Sequence, residues 1–369
     1  MKLLNVRIKL FITTALLGLA ALPIAGKISN TEGLGNDGRV LAQTTNDNSP
    51  FYAPNPPPPR KDPLPAERAR QEATTKADFR ISSLQADYSG DLWVGSWQGL
   101  SRINPNTGRV VARISLPNYT LGALSQDKVG RIWVGTFEGL LRVDPRSNEV
   151  TAQNIALPSN RVLSLLIDKR GYLWVGSDRG LSLISPDQGL LMTTLQDLPG
   201  VSANALTLDQ KGQLWVGTLE GLVQVDTASA LIRHRISSVP GTVVQALATD
   251  NQGMLWAGTP NSLLVIDPKT RQVMRSITAL QERNVTSVRF AKDGSVWVGT
   301  DNGLVKINPS TGDLLGQISG LPSSRIMSLA TDVGNKLWVG TSEGLAWVSL
   351  TTGVVKPHLA FIREKPADY

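Results

Sequence analysis

The chain of 369 residues carries 37 Lys and Arg against 30 Asp and Glu, a formal charge of +7, with 41% hydrophobic residues, 18% charged residues, 34 Gly and 22 Pro. That balance describes a turn-rich soluble globule and excludes a disordered or helical-repeat chain. Residues 81–369 hold 26 basic against 23 acidic side chains and show no basic stripe with interleaved aromatics, so nucleic acid is excluded as a partner.

Lys2, Arg7 and Lys9 precede an apolar run from Leu10 to Ala25, broken only by Thr13, Thr14, Gly18 and Pro23. This is the pattern of a secretory signal, and the run is shorter than the roughly 20 residues a membrane span needs. A signal peptide over residues 1–26 is therefore expected, with an extracytoplasmic product, periplasmic or secreted. Ile24-Ala25-Gly26 adjoins the run, whereas Val40-Leu41-Ala42 has better cleavage residues but lies far beyond it. An uncut run would tether the protein to the membrane.

Residues 27–78 read as a linker. They include Asn46-Asp47-Asn48-Ser49 and the run Pro54-Asn55-Pro56-Pro57-Pro58-Pro59, and offer too few apolar side chains to offset the entropy of ordering. Cysteine is absent. Disulfides, thiolate zinc sites and a cysteine nucleophile are thereby removed together.

From Phe79 the chain repeats. Trp93, Trp133, Trp174, Trp215, Trp256, Trp297 and Trp338 are spaced 40, 41, 41, 41, 41 and 41 residues apart, each within Leu/Ile/Val-Trp-Val/Ala-Gly. Around each, an apolar stretch such as 162–167 leads through Asp-x-x-Gly into the tryptophan strand. Gly-Thr/Ser-x-x-Gly-Leu, a third strand, a turn such as 308–312 and a fourth strand complete the unit. One four-stranded sheet leaves both faces exposed, and radial stacking in a closed ring buries them without capping repeats. The expected fold is all-β, a single seven-bladed β-propeller over residues 79–362 with a tail at 363–369. The phase of the repeat opens blade one with strand A near Arg80 and ends blade seven with strand D near His358 to Ile362, so whole blades meet at closure.

Leu337-Trp338-Val339-Gly340-Thr341 followed by Gly344-Leu345, with its six equivalents, resembles the two-component regulator propeller repeat over residues 80 to about 362. The resemblance implies an extracytoplasmic sensor part of the kind found in hybrid histidine kinases, acting as a ligand-binding or protein-interaction platform. Here a single ring occurs without a kinase, so what the resemblance carries over is binding. The chain is also somewhat similar to the streptogramin-lyase type of propeller, yet nothing maps onto that family's acid–base residues. Turns like Asn106-Thr107-Gly108 occur in quinone-dependent propeller dehydrogenases but bring no cofactor ligands, so no cofactor and no metal site are expected.

The repeat tryptophans read as inter-blade core. Asp87, Asp127, Asp168, Asp209 and Asp250 read as caps of their own turns, too far apart to converge on calcium. Blade six has Ala291 in that position, and blade seven keeps Asp332 but has Asn335 for the glycine. His234 and His358 fall in or near outer strands, away from the axis. Trp347 replaces polar and apolar residues at its strand C position and reads as edge packing.

With strands running up and down, the B-to-C and D-to-A loops share one face, and repeat variety concentrates there. Just before strand A stand Arg80, Thr120, Arg161, Ser202, Val243, Asn284 and Arg325. Arg80, Arg161 and Arg325 either receive an anion or acidic peptide, or are solvated charges partly paired with Glu138, Asp178, Glu220, Asp301 and Glu343. Trp97 and Phe137 occupy equivalent loop sites, and Tyr119 lies between their blades. This cluster either stacks against a sugar ring or a partner's side chain, or folds back as rim packing. The expectation is a non-enzymatic propeller binding a partner protein, small polymer or anionic ligand on this face. The alternative is a lyase or hydrolase acting on a polysaccharide or cyclic peptide at the channel mouth. The sequence sets no oligomeric state.

Overall fold

Each tryptophan segment forms the second strand of a four-stranded antiparallel sheet in the computed structural model, which describes residues 78–153 and 155–362. These residues lie in the second of two units, Met1–Pro63 and Leu64–Tyr369. The expected signal peptide, the linker up to Ala77 and the tail from Arg363 lie outside the described residues. Seven sheets with strands A, B, C and D in chain order occupy residues 81–115, 121–152, 162–195, 205–236, 246–276, 285–318 and 326–357. Only two short 3₁₀ turns, Thr278–Leu280 and Leu359–Phe361, interrupt the all-β pattern among the described residues.

Strand B of a blade, such as Leu92–Ser96 or Leu173–Ser177, is buried along its whole length. Both faces of the sheet are covered by neighbouring blades, so this strand is apolar almost continuously rather than alternately. The tryptophan reaches into the next blade: Trp256 packs with Val288, Val298 and Ile307. Strand D lies at the outer edge and is mostly solvated, as in Glu149–Ala152.

The repeat aspartate does more than cap its turn. In blades one to five its carboxylate accepts turn amides and also the tryptophan indole N–H six residues on, at 3.1, 3.0, 3.1, 3.2 and 2.9 Å. In blade seven the backbone carbonyl of Val333 accepts from Trp338 at 3.1 Å, and Asp332 instead accepts the Lys292 amide of blade six at 3.0 Å. Asn335 adopts φ 56°, the conformation the missing glycine would have supplied. Blade six has no substitute, and the buried Trp297 indole nitrogen is unpartnered.

Strand A of each blade packs against strand A of the next, and Ile326–Ala330 closes onto Ile81–Ala86. The Ser328 hydroxyl donates to the Ile81 carbonyl at 3.0 Å across this seam. Strand D of blade seven is Val355–Pro357, shorter and earlier than the expected run through His358 to Ile362. The His358 amide still donates to the Leu345 carbonyl at 2.8 Å, and the chain then turns inward. Phe361 joins the core between blades seven and one, and His358 Nε2 donates to the Gly108 carbonyl at 2.7 Å.

Candidate functional site

The B-to-C loops are built on a buried hydroxyl. Thr136 Oγ1 donates to the Gly139 carbonyl at 2.8 Å and accepts the Glu138 amide at 3.1 Å, which pins the turn from inside. Ser96 donates in the same way to Gly99 at 3.3 Å. The residue that follows each hydroxyl, Trp97 or Phe137, is thereby held at the rim with its side chain outside the sheet.

The D-to-A loop between blades one and two is Leu116-Pro117-Asn118-Tyr119-Thr120. Tyr119 donates its amide to the Leu116 carbonyl at 3.3 Å, and Asn118 has φ 69°. Pro followed by a residue at positive φ is the chemistry of a type II turn. The Phe137 amide donates to the Thr120 carbonyl at 3.0 Å, and the Thr120 amide donates to Glu138 Oε2 at 2.7 Å. The two loops are thus clamped together.

These loops enclose a cavity of about 560 Å³ lined by Trp97, Tyr119, Phe137, Arg80, Asp78 and residues of the adjoining strands. Trp97 is 45% and Phe137 40% exposed, whereas Tyr119 is half-buried against the core shared by blades one and two. Rim packing therefore describes Tyr119 but not the two loop rings. Gly122 makes the juxtaposition feasible, because a Cβ there would stand 2.9 Å from the Val162 carbonyl and 3.4 Å from the Phe137 ring.

The three arginines do not converge. Arg80 lines the cavity and binds Asp78 through its Nε at 2.7 and 2.8 Å, in an ion pair that raises its own pKa. Burial acts to raise the Asp78 pKa, but the hydrogen bonds from Arg80 prevail and hold it below the ordinary carboxylate value. Arg161 stacks over the Phe137 ring at 4.8 Å. Arg325 is exposed and outside the cavity lining. The expected pairing with Glu138, Asp178, Glu220, Asp301 and Glu343 does not form among the described residues, since Glu138 is committed to the Thr120 amide and Asp178 to the Ser159 hydroxyl.

Sequence reasoning missed the residues at the top of the axial channel. In five blades, strand A carries a β-bulge at its first turn, leaving Ser82, Gly122, Leu163, Thr286 and Met327 out of register with strand B. A bulge at a rim re-aims a side chain, and all five border the channel. Their unlikeness from blade to blade, beside otherwise repetitive neighbours, was the available signal. The channel below holds about 190 Å³, and Arg289 is the one charged side chain on its wall.

His234 is exposed on strand D of blade four, its Nδ1 3.1 Å from Arg271. Trp347 is half-buried beneath Lys336, 4.7 Å from its ring, as edge packing requires. Among the described residues no group of three or more His, Cys, Asp or Glu is placed to hold a metal ion, and no helix is long and apolar enough to cross a membrane.

Residues 115–138 and 156–179 match the family described as two component regulator propeller, and residues 220–358 match a domain of unknown function, DUF5074. No curated protein matches the sequence. The fold is similar to an extracellular domain assigned to a one component system of B. thetaiotaomicron (TM-score 0.62, 21% identity, 74% of this chain and 38% of that one). It is equally similar to an extracellular domain assigned to a hybrid two component system of the same organism (TM-score 0.62, 21% identity, 73% and 40%). The chain thus spans about two fifths of those domains. Virginiamycin B lyase of Staphylococcus aureus shares the fold at TM-score 0.61 and 14% identity, over 73% of this chain and 94% of the enzyme.

Proposed function

We propose that this chain, a seven-bladed ring carrying two-component regulator propeller repeats, is an extracytoplasmic sensor-like binding module whose ligand sits at the channel mouth. The observation that carries the reading is the cavity of about 560 Å³ on the face shared by the B-to-C and D-to-A loops. Two rings held out of the core by hydrogen-bonded loops suit stacking on a sugar face or anchoring a partner's side chain. Arg80, already paired with Asp78, supplies directional donors without a net charge, so the cavity favours a neutral polar polymer such as an oligosaccharide over a strongly anionic one. The extracytoplasmic placement is supported by the apolar run at Leu10 to Ala25 and by the extracellular neighbours.

A lyase or hydrolase would need carboxylates converging at the mouth. Glu138, Glu220 and Glu343 are exposed on three different blades, which supports binding without chemistry.

The test is a glycan and peptide array probed with the protein beside a Trp97→Ala/Phe137→Ala variant of matched thermal stability. Glycan hits that the variant loses support the reading. Equal binding by both proteins removes the mouth cavity from consideration, and hits confined to acidic peptides would move the site to Arg161 and Arg325.

A further inference from the structure

On the face that carries the aspartate turns, neighbouring blades are joined by the side chain of the residue after the aspartate. Lys128 Nζ donates to the Lys169 carbonyl at 2.6 Å, Lys169 Nζ to the Gln210 carbonyl at 2.7 Å and Gln210 Nε2 to the Asn251 carbonyl at 2.9 Å. Each stem crosses the turn glycine of the next blade so closely that a Cβ on Gly171, Gly212 or Gly253 would stand 3.0 Å from it. Blades two to five are linked in this way.

The series stops at Asn251, which is exposed and one methylene shorter than Gln210. Among the described residues no hydrogen bond reaches the Lys292 carbonyl, the next acceptor, and a Cβ on Gly294, the next glycine, would meet nothing within 4 Å. A groove of about 430 Å³ is left between blades five and six, lined by the half-buried Phe290 with Asp250, Arg275 and Ser310. Asp250 and Arg275 are its two charged side chains, and Arg275 is committed to the Ser310 carbonyl at 2.6 Å. The matching groove between blades one and two is open because Tyr88, in the series position, is 69% exposed. Its lining sets Arg102, Lys128, Arg131 and Arg146 against Asp87 and Asp144, which disfavours a cation.

We propose that the groove between blades five and six binds a primary alkylammonium, the chemistry of a lysine side chain, with its ammonium on the Lys292 carbonyl and its stem over Gly294 beside Phe290. The repeat itself selects this chemistry. Two of the three side chains in the series are lysines, and a charged donor makes a stronger hydrogen bond than an amide. The site lies on the face opposite the mouth cavity and stands whether or not that cavity binds a polymer.

NMR titration of the full chain, read at the Gly294 and Asp293 amides, tests this with n-butylammonium, butanol, butyrate and a short Gly/Ser peptide carrying one lysine or, as its control, one norleucine. Butylammonium is expected to shift these amides saturably and to bind about tenfold more tightly than butanol or butyrate. Equal binding of the lysine peptide, with none of the norleucine peptide, would assign the groove to a partner's side chain; butylammonium binding alone would assign it to free amines. Asn251→Lys, which carries the chain's own series across the groove, should weaken butylammonium about tenfold without lowering Tm, whereas Trp97→Ala/Phe137→Ala should leave it unchanged. Butanol binding as tightly as butylammonium, absence of a saturable shift at Gly294 and Asp293, or unchanged butylammonium affinity in a folded Asn251→Lys protein would overturn the proposal.

Discussion

The indole N–H of Trp93 donates to the carboxylate of Asp87 at 3.1 Å, and the corresponding bond is missing at Trp297, where Ala291 stands in place of the aspartate. A buried donor left without a partner costs about 1–3 kcal/mol. Ala291→Asp should therefore stabilise the protein by about 1 kcal/mol, with Lys306, 5.3 Å from the Trp297 ring, offsetting the added charge. A rise of roughly 2 °C in Tm is expected. A fall would mean that blade six has repacked around the alanine.

The converse substitution, Asp168→Ala, removes the acceptor of the Trp174 indole and of three turn amides at once. It should cost about 2–3 kcal/mol in urea unfolding. A cost below about 0.5 kcal/mol, within the scatter of ordinary surface changes, would show that water replaces the carboxylate.

His358 gives the ring a pH dependence. Burial lowers its pKa below the ordinary value of 6.5, and its Nδ1 is buried without a partner. The unfolded chain therefore binds this proton more readily than the folded one. Stability is full above the unfolded value of about 6.5 and declines as pH falls toward the folded pKa. His358→Gln should flatten that slope while keeping a donor for Gly108. Asp226, with a pKa of about 2 set mainly by the Ser229 amide, and the other lowered carboxylates act only below about pH 4. A slope between pH 5 and 6.5 that survives in the variant would clear His358.

Ring closure depends on Gly340. A Cβ at this position would meet the Ser328 hydroxyl and stand 2.6 Å from the Ile81 carbonyl across the seam. Gly340→Ala should destabilise by about 1–3 kcal/mol through overpacking. Hydrogen exchange should locate the loosening in blades one and seven; protection lost evenly around the ring would contradict a local seam.

Thr136→Val keeps the shape of a buried side chain and deletes the bonds to Gly139 and Glu138. A cost of about 2 kcal/mol is expected, along with faster exchange of the Phe137 amide, which bonds Thr120. Unaltered exchange at Phe137 would show that the clamp from Glu138 to Thr120 is sufficient by itself.

The repeat was legible because it is local. A tryptophan every 41 residues, with turn residues at constant offsets, follows from a unit that must bury two faces. Trp97, Tyr119 and Phe137 could be placed together for the same reason, since strand direction alone assigns loops to faces. The aspartate's bond to tryptophan was only half visible: its turn role is local, whereas its second role needs the hairpin folded so that residues six apart meet. Arg289 was hidden, because nothing in Val288-Arg289-Phe290 distinguishes an axial side chain from a solvated one.

By itself the sequence determined the all-β class, the blade number, the strand order and the face on which variable loops gather, for these depend on periodicity and chain direction. The tertiary structure decided which side chains share a space. Arg80 turned to Asp78, Arg161 to Phe137 and Arg325 stayed apart, because bulges and loop clamps aim side chains over distances that spacing does not encode. Closing the ring then placed Arg289 in a channel lined by strand A residues of all seven blades, in surroundings that exist only once blade seven meets blade one.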